Sequence, residues 1–116
     1  MNSLPRPPIA PFQQLEIYGA SLDLAARVHR ARITDGEIRD QARRASKSVF
    51  LNLCEGLPSY SPPMRRKYFN TAYGSLCEVA GALDLADAIG VIDRAEADAI
   101  HGIGCRVARL LRGLLR

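Results

Sequence analysis

A row of polar side chains runs beside the apolar face of the most regular helical segment in this sequence. Its members are Gln41, Ser48, Asn52 and Glu55. An amphipathic helix ordinarily keeps such groups on the side that faces away from the core. Ser75 and Glu78 of the next predicted helix can face this row, and a buried hydrogen-bonded network of these residues would penalise a slipped helix. We expect such a structural network; the alternative is a pocket for a small ligand or a nucleic-acid base.

Basic side chains gather in three parts of the chain. Arginine and lysine hold phosphate groups through charge-assisted hydrogen bonds, so these clusters indicate contact with RNA or DNA. The residues that we expect to make such contacts are Arg43 and Lys47 on the second predicted helix, Arg65, Arg66 and Lys67 at the start of the third, and Arg106, Arg109 and Arg112 on the fourth. The alternative is a solvated face, or arginines that pair with acidic residues across subunits.

Candidate metal ligands and catalytic groups are few. Helical di-iron proteins use a carboxylate from each of two helices and an acid-x-x-His pair from each of the other two. Asp98 and His101 give one such pair and the sequence has no second, so we expect neither a metal nor another cofactor. His29 falls on a different helix, and no third group orients either ring as a catalytic base. We therefore expect a protein that is not an enzyme.

The three cysteines, Cys54, Cys77 and Cys105, fall on three different predicted helices and form no CxxC pair. An odd number without close spacing argues against a disulfide framework and against a zinc site. We expect reduced thiols that act as small packing residues.

Composition places the chain among globular proteins. Its 116 residues suffice for one domain, and 47% apolar with 24% charged residues is typical of a soluble protein. The net charge of +4 is compatible with a nucleic-acid partner. No apolar stretch approaches the roughly 18 residues that a membrane helix needs, and no basic and apolar leader opens the chain. We expect a soluble, cytoplasmic protein without a membrane partner.

The positions of these residues depend on the helices that carry them. Four prolines make residues 1–11 a proline-rich N-terminal arm, and residues 12–116 form one helical domain. The first helix is predicted over residues 12–31, with one apolar stripe at Phe12, Leu15, Gly19, Leu22 and Ala26 and a second at Ile17, Leu24 and Val28. Two apolar faces indicate burial on two sides, either inside a bundle or against another subunit.

Capping signals mark the second helix. Thr34 and Glu37 match a capping box, in which each side chain bonds a free backbone amide of the other residue. The helix is therefore predicted to begin near Asp35. We expect it to end at Gly56, because glycine takes the left-handed cap conformation without a steric penalty.

Similar signals delimit the third and fourth helices. Ser61 is expected to cap the third, which begins at Pro62 or Pro63 and stops before Gly90, and Asp93 with Glu96 opens the fourth. Short connections require consecutive long helices to lie as antiparallel neighbours. The predicted fold class is therefore all-α, as an antiparallel up-down four-helix bundle.

One set of spaced residues resembles a known family. The segment Gln41-x-x-Arg44-Ala45-x-x-Ser48-Val49-x-x-Asn52-Leu53-x-Glu55-Gly56, followed by Tyr68-Phe69, Gly74-Ser75-Leu76 and Glu78, is similar to the bacterial family of 23S ribosomal RNA intervening-sequence proteins. The resemblance implies a four-helix bundle that assembles into a ring of five copies. A more distant resemblance is to the accessory variability proteins of diversity-generating retroelements, which form such a ring and partner with reverse transcriptase and RNA.

Two functions from different classes follow. The first is a homo-oligomeric accessory protein that binds RNA or DNA through its basic faces. The second is a structural or protein-interaction ring without affinity for nucleic acid, in which the loop at residues 57–64 or the proline-rich arm recruits a protein partner.

Overall fold

The computed structural model describes residues 6–116, which form four helices around one apolar core. The helices are α1, Glu16–Arg30; α2, Gly36–Gly56; α3, Pro62–Ala88; and α4, Arg94–Leu115. A turn of 3₁₀ helix at Pro11–Gln14 precedes α1, and no strand occurs in these residues, so the predicted all-α class is confirmed. The part of the predicted arm at residues 1–5 lies outside the described residues. None of the described helices is both long and apolar enough to cross a membrane.

Helix α1 begins at Glu16 rather than at Phe12, where the periodicity predicted its start. Pro11 opens a separate 3₁₀ turn, and the Gln13 side chain accepts a hydrogen bond from the backbone N–H of Ala10 at 3.0 Å. Leu15 then has an extended backbone, with φ −74° and ψ 144°, which interrupts the helical run. Apolar spacing persists across this break, and for that reason periodicity alone missed it.

The two apolar stripes of α1 face different surroundings. Leu24 and Val28 are completely buried in the core. Leu15 and Leu22, from the other stripe, are 48% and 46% exposed. One stripe of α1 therefore packs inside the chain, and the other faces outward.

The capping box predicted at Thr34 is wrong, although the helix does begin where that box placed it. Asp35 is the cap, since its carboxylate accepts a hydrogen bond from the backbone N–H of Ile38 at 3.0 Å. The backbone N–H of Thr34 instead donates to the carbonyl oxygen of Val91 at 3.0 Å. Thr34 thus ties the start of α2 to the segment that connects α3 with α4.

Helices α3 and α4 begin and end close to where the sequence predicted. Ser61 caps α3 and Asp93 caps α4, each accepting from a backbone N–H in the first turn. After α3, Gly90 has φ 77°, and the N–H of Val91 donates to the carbonyl oxygen of Ala86 at 2.9 Å. This is a Schellman motif, which favours glycine at its left-handed position.

Gly56 is the last residue of α2, but the left-handed cap predicted there is wrong, since Gly90 is the glycine with positive φ among the described residues. A Cβ atom added at Gly56 would lie 2.7 Å from Cε1 of Phe69 and 3.1 Å from Cβ of Tyr68. Glycine is needed here because α2 and α3 approach too closely for a side chain.

Each helix packs against its neighbours in the chain, and α1 also packs against α4. The most extensive contact joins α2 and α3. The core is mainly aliphatic, and Phe69 is its largest fully buried side chain. Arg66 and Lys67 lie in the first turns of α3, so this α2–α3 contact positions them.

Replacing Gly56 with alanine is expected to lower the free energy of unfolding by about 1–3 kcal/mol, because the new methyl group must displace Phe69 or shift α3. Urea denaturation followed by circular dichroism measures this change. Gly74→Ala is the matched control: Gly74 lies inside α3 with no atom within 4 Å of an added Cβ. We expect that control to be neutral or stabilising by up to about 1 kcal/mol. Equal effects at both positions would contradict the close approach at Gly56.

Candidate nucleic-acid interface

The polar row predicted on α2 forms two separate hydrogen-bonded groups with α3. In the inner group, the Ser48 and Ser75 hydroxyl oxygens lie 2.7 Å apart. Asn52 Nδ2 donates to the carbonyl oxygen of Ser48 at 2.8 Å and to its hydroxyl oxygen at 3.1 Å. Ser75 is buried, and Ser48 and Asn52 are half-buried. These three side chains bond to one another at the helix contact, as a structural network does.

The outer group lies at the surface. Gln41 Nε2 donates to a Glu78 carboxylate oxygen at 2.8 Å, and Arg44 donates to the amide oxygen of Gln41 at 3.0 Å. Glu55 is exposed and makes no side-chain hydrogen bond or ion pair within residues 6–116. A strict seven-residue spacing drifts by about 20° per heptad around a straight helix, so Glu55 is turned about 40° away from Gln41. The structure therefore does not bring Glu55 into the row.

Arg43 and Lys47 line an open groove of about 650 Å³ beside α2, which we call the α2 groove. The remaining lining residues are His29, Asp40, Arg44, Ser48, Leu51 and Asn52. Arg43 Nη2 donates to the carbonyl oxygen of His29 at 2.9 Å, near the end of α1, while Arg43 Nε is buried without a hydrogen-bond partner. Three cations against one carboxylate make this groove favourable for an anion such as phosphate.

Arg65 is held within its own chain. Its Nη1 donates to the carbonyl oxygen of Leu57 at 2.7 Å and to those of Gly56 and Ser59 at 3.3 Å. Its guanidinium carbon lies 5.1 Å from the centre of the Phe69 ring. Arg65 therefore satisfies carbonyl groups that the end of α2 leaves without helical partners. These three hydrogen bonds come from Nη1 alone, so the phosphate contact predicted for Arg65 stays a prediction.

The other basic residues at the start of α3 and on α4 differ in their partners. Arg106 pairs with Glu16 of α1 at 2.9 Å. Arg66, Lys67, Arg109 and Arg112 are exposed and form no ion pair with any residue in the described chain. The Lys67 ammonium lies 5.8 Å from the centre of the Tyr68 ring. We call these four residues the basic end patch.

The basic end patch lies at one end of the molecule, away from the α2 groove. Arg66 and Lys67 occupy the first turns of α3, and Arg109 and Arg112 the last turns of α4. The ion pair of Arg106 with Glu16 brings the last turns of α4 to the start of α1. The Tyr18 ring in turn lies 5.2 Å from that of Phe50, in the second half of α2. The structure therefore places six of the eight predicted basic residues in two sites, and Arg65 and Arg106 belong to neither.

Sequence reasoning missed one contact on α4. Cys105 Sγ lies 3.4 Å from His101 Nε2. The four-residue spacing, which places side chains on successive turns of one helix face, was the available signal. Within residues 6–116, no three His, Cys, Asp or Glu side chains are arranged to hold a metal ion.

The packing role predicted for all three cysteines is wrong for two of them. Cys77 and Cys105 are exposed, and both line a groove of about 390 Å³ between α3 and α4. We call it the α3–α4 groove. Cys54 is half-buried. Burial, and then the nearby charge of Glu55, raise the pKa of the Cys54 thiol, so this group stays protonated at neutral pH.

The model of the 23S rRNA-intervening sequence protein family matches residues 13–113, which include nearly all of α1 to α4. The chain belongs to this family. The resemblance found in the residues from Gln41 to Glu78 is thereby confirmed. No curated protein matches the chain.

Among solved structures, this family member is similar to the crystal structure of a protein of unknown function from the S23 ribosomal protein family of Bacteroides thetaiotaomicron VPI-5482. The TM-score is 0.78 at 19% sequence identity, over 86% of this chain and 98% of that one. At this identity the likeness supports the fold alone.

Arg65→Ala is expected to lower the free energy of unfolding by about 1–2 kcal/mol, because carbonyl groups at the end of α2 lose a charged donor. Arg66→Ala, at the exposed neighbouring position, is the matched control and is expected to change stability by less than about 0.5 kcal/mol. Urea denaturation of both variants checks the difference. An Arg65 variant as stable as the control would mean that these hydrogen bonds do not stabilise the end of α2.

Proposed function

We propose that this protein is a non-enzymatic, homo-oligomeric accessory protein that binds RNA or DNA by their phosphate groups. The observation that carries this proposal is the basic end patch: Arg66, Lys67, Arg109 and Arg112 reach solvent without an ion pair among the described residues. Arg65 and Arg106, by contrast, have partners in their own chain. Exposed cations that lack partners are free to neutralise phosphate.

Such a patch recognises the backbone of a nucleic acid rather than its bases. Lysine and arginine that contact phosphates position the protein but carry no sequence information. The proposed binding is therefore independent of sequence and sensitive to salt, since each phosphate contact releases a counterion. The α2 groove, with Arg43, Arg44 and Lys47, is a second place for an anion.

We further propose an antiparallel up-down arrangement of the four helices. Side-chain contacts between the helices support it. Tyr18 lies beside Phe50, Ser48 bonds Ser75, and Arg27 pairs with Glu96 at 3.2 Å. A second contact joins each of these helix pairs: Arg43 with His29, Gln41 with Glu78, and Glu16 with Arg106. In each pair the two contacts run in opposite order along the helices. Opposite order is what an up-down bundle requires.

Self-association into a ring, with five copies as the expected number, is the next part of this proposal. Leu15 and Leu22 lie on the outward stripe of α1 with Gly19 between them. An apolar stripe that faces outward gains stability when a second copy covers it. A ring repeats the basic end patch in every copy, which increases the affinity for a long polyanion. The exposed, free Cys77 and Cys105 fit a reducing cytoplasm, which we propose as the location.

The alternative function is a structural or protein-interaction scaffold without affinity for nucleic acid. The observation that favours it is the exposure of large side chains outside the helices: Ile9 is 95% exposed, and Tyr60 is fully exposed in the loop before α3. Exposed aromatic and aliphatic residues at such positions are typical of contacts with protein partners.

Charge reversal in the basic end patch tests the nucleic-acid proposal. The variant Arg66→Glu with Lys67→Glu is expected to bind labelled structured RNA and duplex DNA about ten-fold or more weakly at low salt, and the loss should be similar for both. Its affinity should also depend less steeply on salt. Fluorescence titrations at several salt concentrations measure both quantities.

The matched control reverses two exposed arginines near the other end of the molecule, Arg30→Glu with Arg32→Glu, so that the net charge changes equally. A smaller loss in this control is expected. Equal losses in both variants would mean that net charge alone drives binding and would contradict a patch at one end. Undetectable binding of the unchanged protein at low salt would leave the scaffold as the function.

The outward stripe of α1 is tested by Leu22→Glu, which is expected to lower the oligomeric mass while the helical signal is retained, because Leu22 is already half-exposed in the chain. Leu24→Glu, two positions along, is expected to unfold the protein, since Leu24 is fully buried. Light scattering after size-exclusion chromatography, with circular dichroism, distinguishes the two results. An unchanged mass for Leu22→Glu would exclude this stripe from the interface.

A further inference from the structure

The α3–α4 groove exists because small side chains line it. Ala80 on α3 and Gly104 and Ala108 on α4 are among the lining residues, and the two exposed thiols add little bulk. Larger residues below them, Leu76 and Ile100 among the lining, give the groove an apolar floor. No segment of residues 6–116 fills this space.

The rim of the α3–α4 groove is acidic. Asp84, Asp87 and Asp98 line it together with a single cation, Arg94. Arg94 lies 3.4 Å from Asp87 and 3.6 Å from Asp98. Asp84 is exposed and has no ion pair in the described part of the chain. The Asp84 carboxylate, beside the apolar floor, is therefore available to pair with a basic residue that adjoins an apolar segment.

The described part of the N-terminal arm has this chemistry. Arg6, Pro7, Pro8 and Ile9 are all exposed, and Ile9 is 95% exposed. Arg6 makes no ion pair with any described residue. Two consecutive prolines restrict this segment to an extended conformation, so little conformational entropy is lost when it binds an apolar groove.

Residues 6–9 are too few to reach the groove of their own chain. Gln13 Nε2 donates to the Tyr18 hydroxyl at 3.3 Å, and Tyr18 packs on Phe50, so the arm starts from the α1–α2 side. Helix α1 contacts α4, and α2 contacts α3. The α3–α4 groove therefore lies on the side of the molecule opposite α1 and α2. The extended chain from residue 6 to residue 9 spans about 9 Å, less than the diameter of one helix. They cannot pass around the molecule.

We infer that residues 6–9 of one copy bind in the α3–α4 groove of a second copy. Pro7, Pro8 and Ile9 cover the apolar floor, and Arg6 pairs with Asp84 at the rim. The lengths agree, because the helical rise from Cys77 to Asp84 is about 10 Å and the extended chain from residue 6 to residue 9 spans about 9 Å. This inference rests on the self-association proposed above.

The inferred contact is directional, since each copy gives one arm and receives another. A head-to-tail contact of this kind closes into a ring when the rotation between copies allows it. The arm and the outward stripe of α1 would then both lie between neighbouring copies. This mode of contact assigns a partner to Ile9, an apolar side chain that is 95% exposed.

Native thiols in the groove make the inference directly testable. In the variant Ile9→Cys, mild oxidation by oxidised glutathione is expected to join the introduced thiol to Cys77 or Cys105 of another copy. Mass spectrometry of peptides from a mixture of unlabelled and ¹⁵N-labelled protein identifies disulfides that join two different copies. Tyr60→Cys is the matched control, because position 60 is as exposed as position 9 but lies in the loop before α3. That control is expected to form no such disulfide.

A charge exchange tests the predicted pair. Either Asp84→Arg or Arg6→Asp, added to Ile9→Cys, is expected to slow the cross-link about three-fold or more, and the two changes together are expected to restore it. Absence of restoration would overturn the pairing of Arg6 with Asp84.

Sedimentation velocity on the same samples separates this inference from the proposal on which it rests. A monomeric mass would overturn both self-association and arm binding. An oligomer without mixed-label cross-links, or with cross-links only inside single chains, would overturn arm binding alone. Mixed-label cross-links that depend on Asp84 would establish it.

Discussion

The close contact of α2 with α3 determines much of what this chain can do. Gly56 lets Phe69, the largest fully buried side chain, lie directly against the end of α2. At that separation Arg65 reaches the carbonyl groups at the end of α2 and is held there. The next two residues, Arg66 and Lys67, are left to face solvent. A packing constraint in the core therefore decides which cations are available to a polyanion.

The buried part of the polar row sets the register of the same two helices. If α3 moved by one turn, the Ser48 and Ser75 hydroxyls would separate, and burial would make each unpaired group unfavourable. The outer pair of Gln41 with Glu78 lies in water, where a lost hydrogen bond is replaced easily. A single row in the sequence thus has two physical roles, divided by burial.

Local chemistry made part of this structure predictable. Ser61, Gly90 and Asp93 cap helices through bonds to residues at most five positions away, so the sequence contains all the necessary information. The core-facing stripe of α1 was not predictable, because both stripes are apolar and only the neighbouring helices select one. The role of Arg65 depends on the path of the loop before it, which periodicity does not describe. The basic end patch combines residues from two helices and also needed tertiary structure.

The position of the basic end patch also bears on how an assembly would act. The outward stripe of α1 and the α3–α4 groove lie along the sides of the helices, whereas Arg66, Lys67, Arg109 and Arg112 lie at one end. In a cyclic oligomer whose axis is parallel to the helices, the copies touch through the sides of their helices. The same end of every copy then lies on one face of the ring. The cations then add on that face, and like-charge repulsion between copies makes a bound polyanion stabilise the ring. Under the proposed function, assembly and phosphate binding would thereby be coupled, and salt would weaken the coupling.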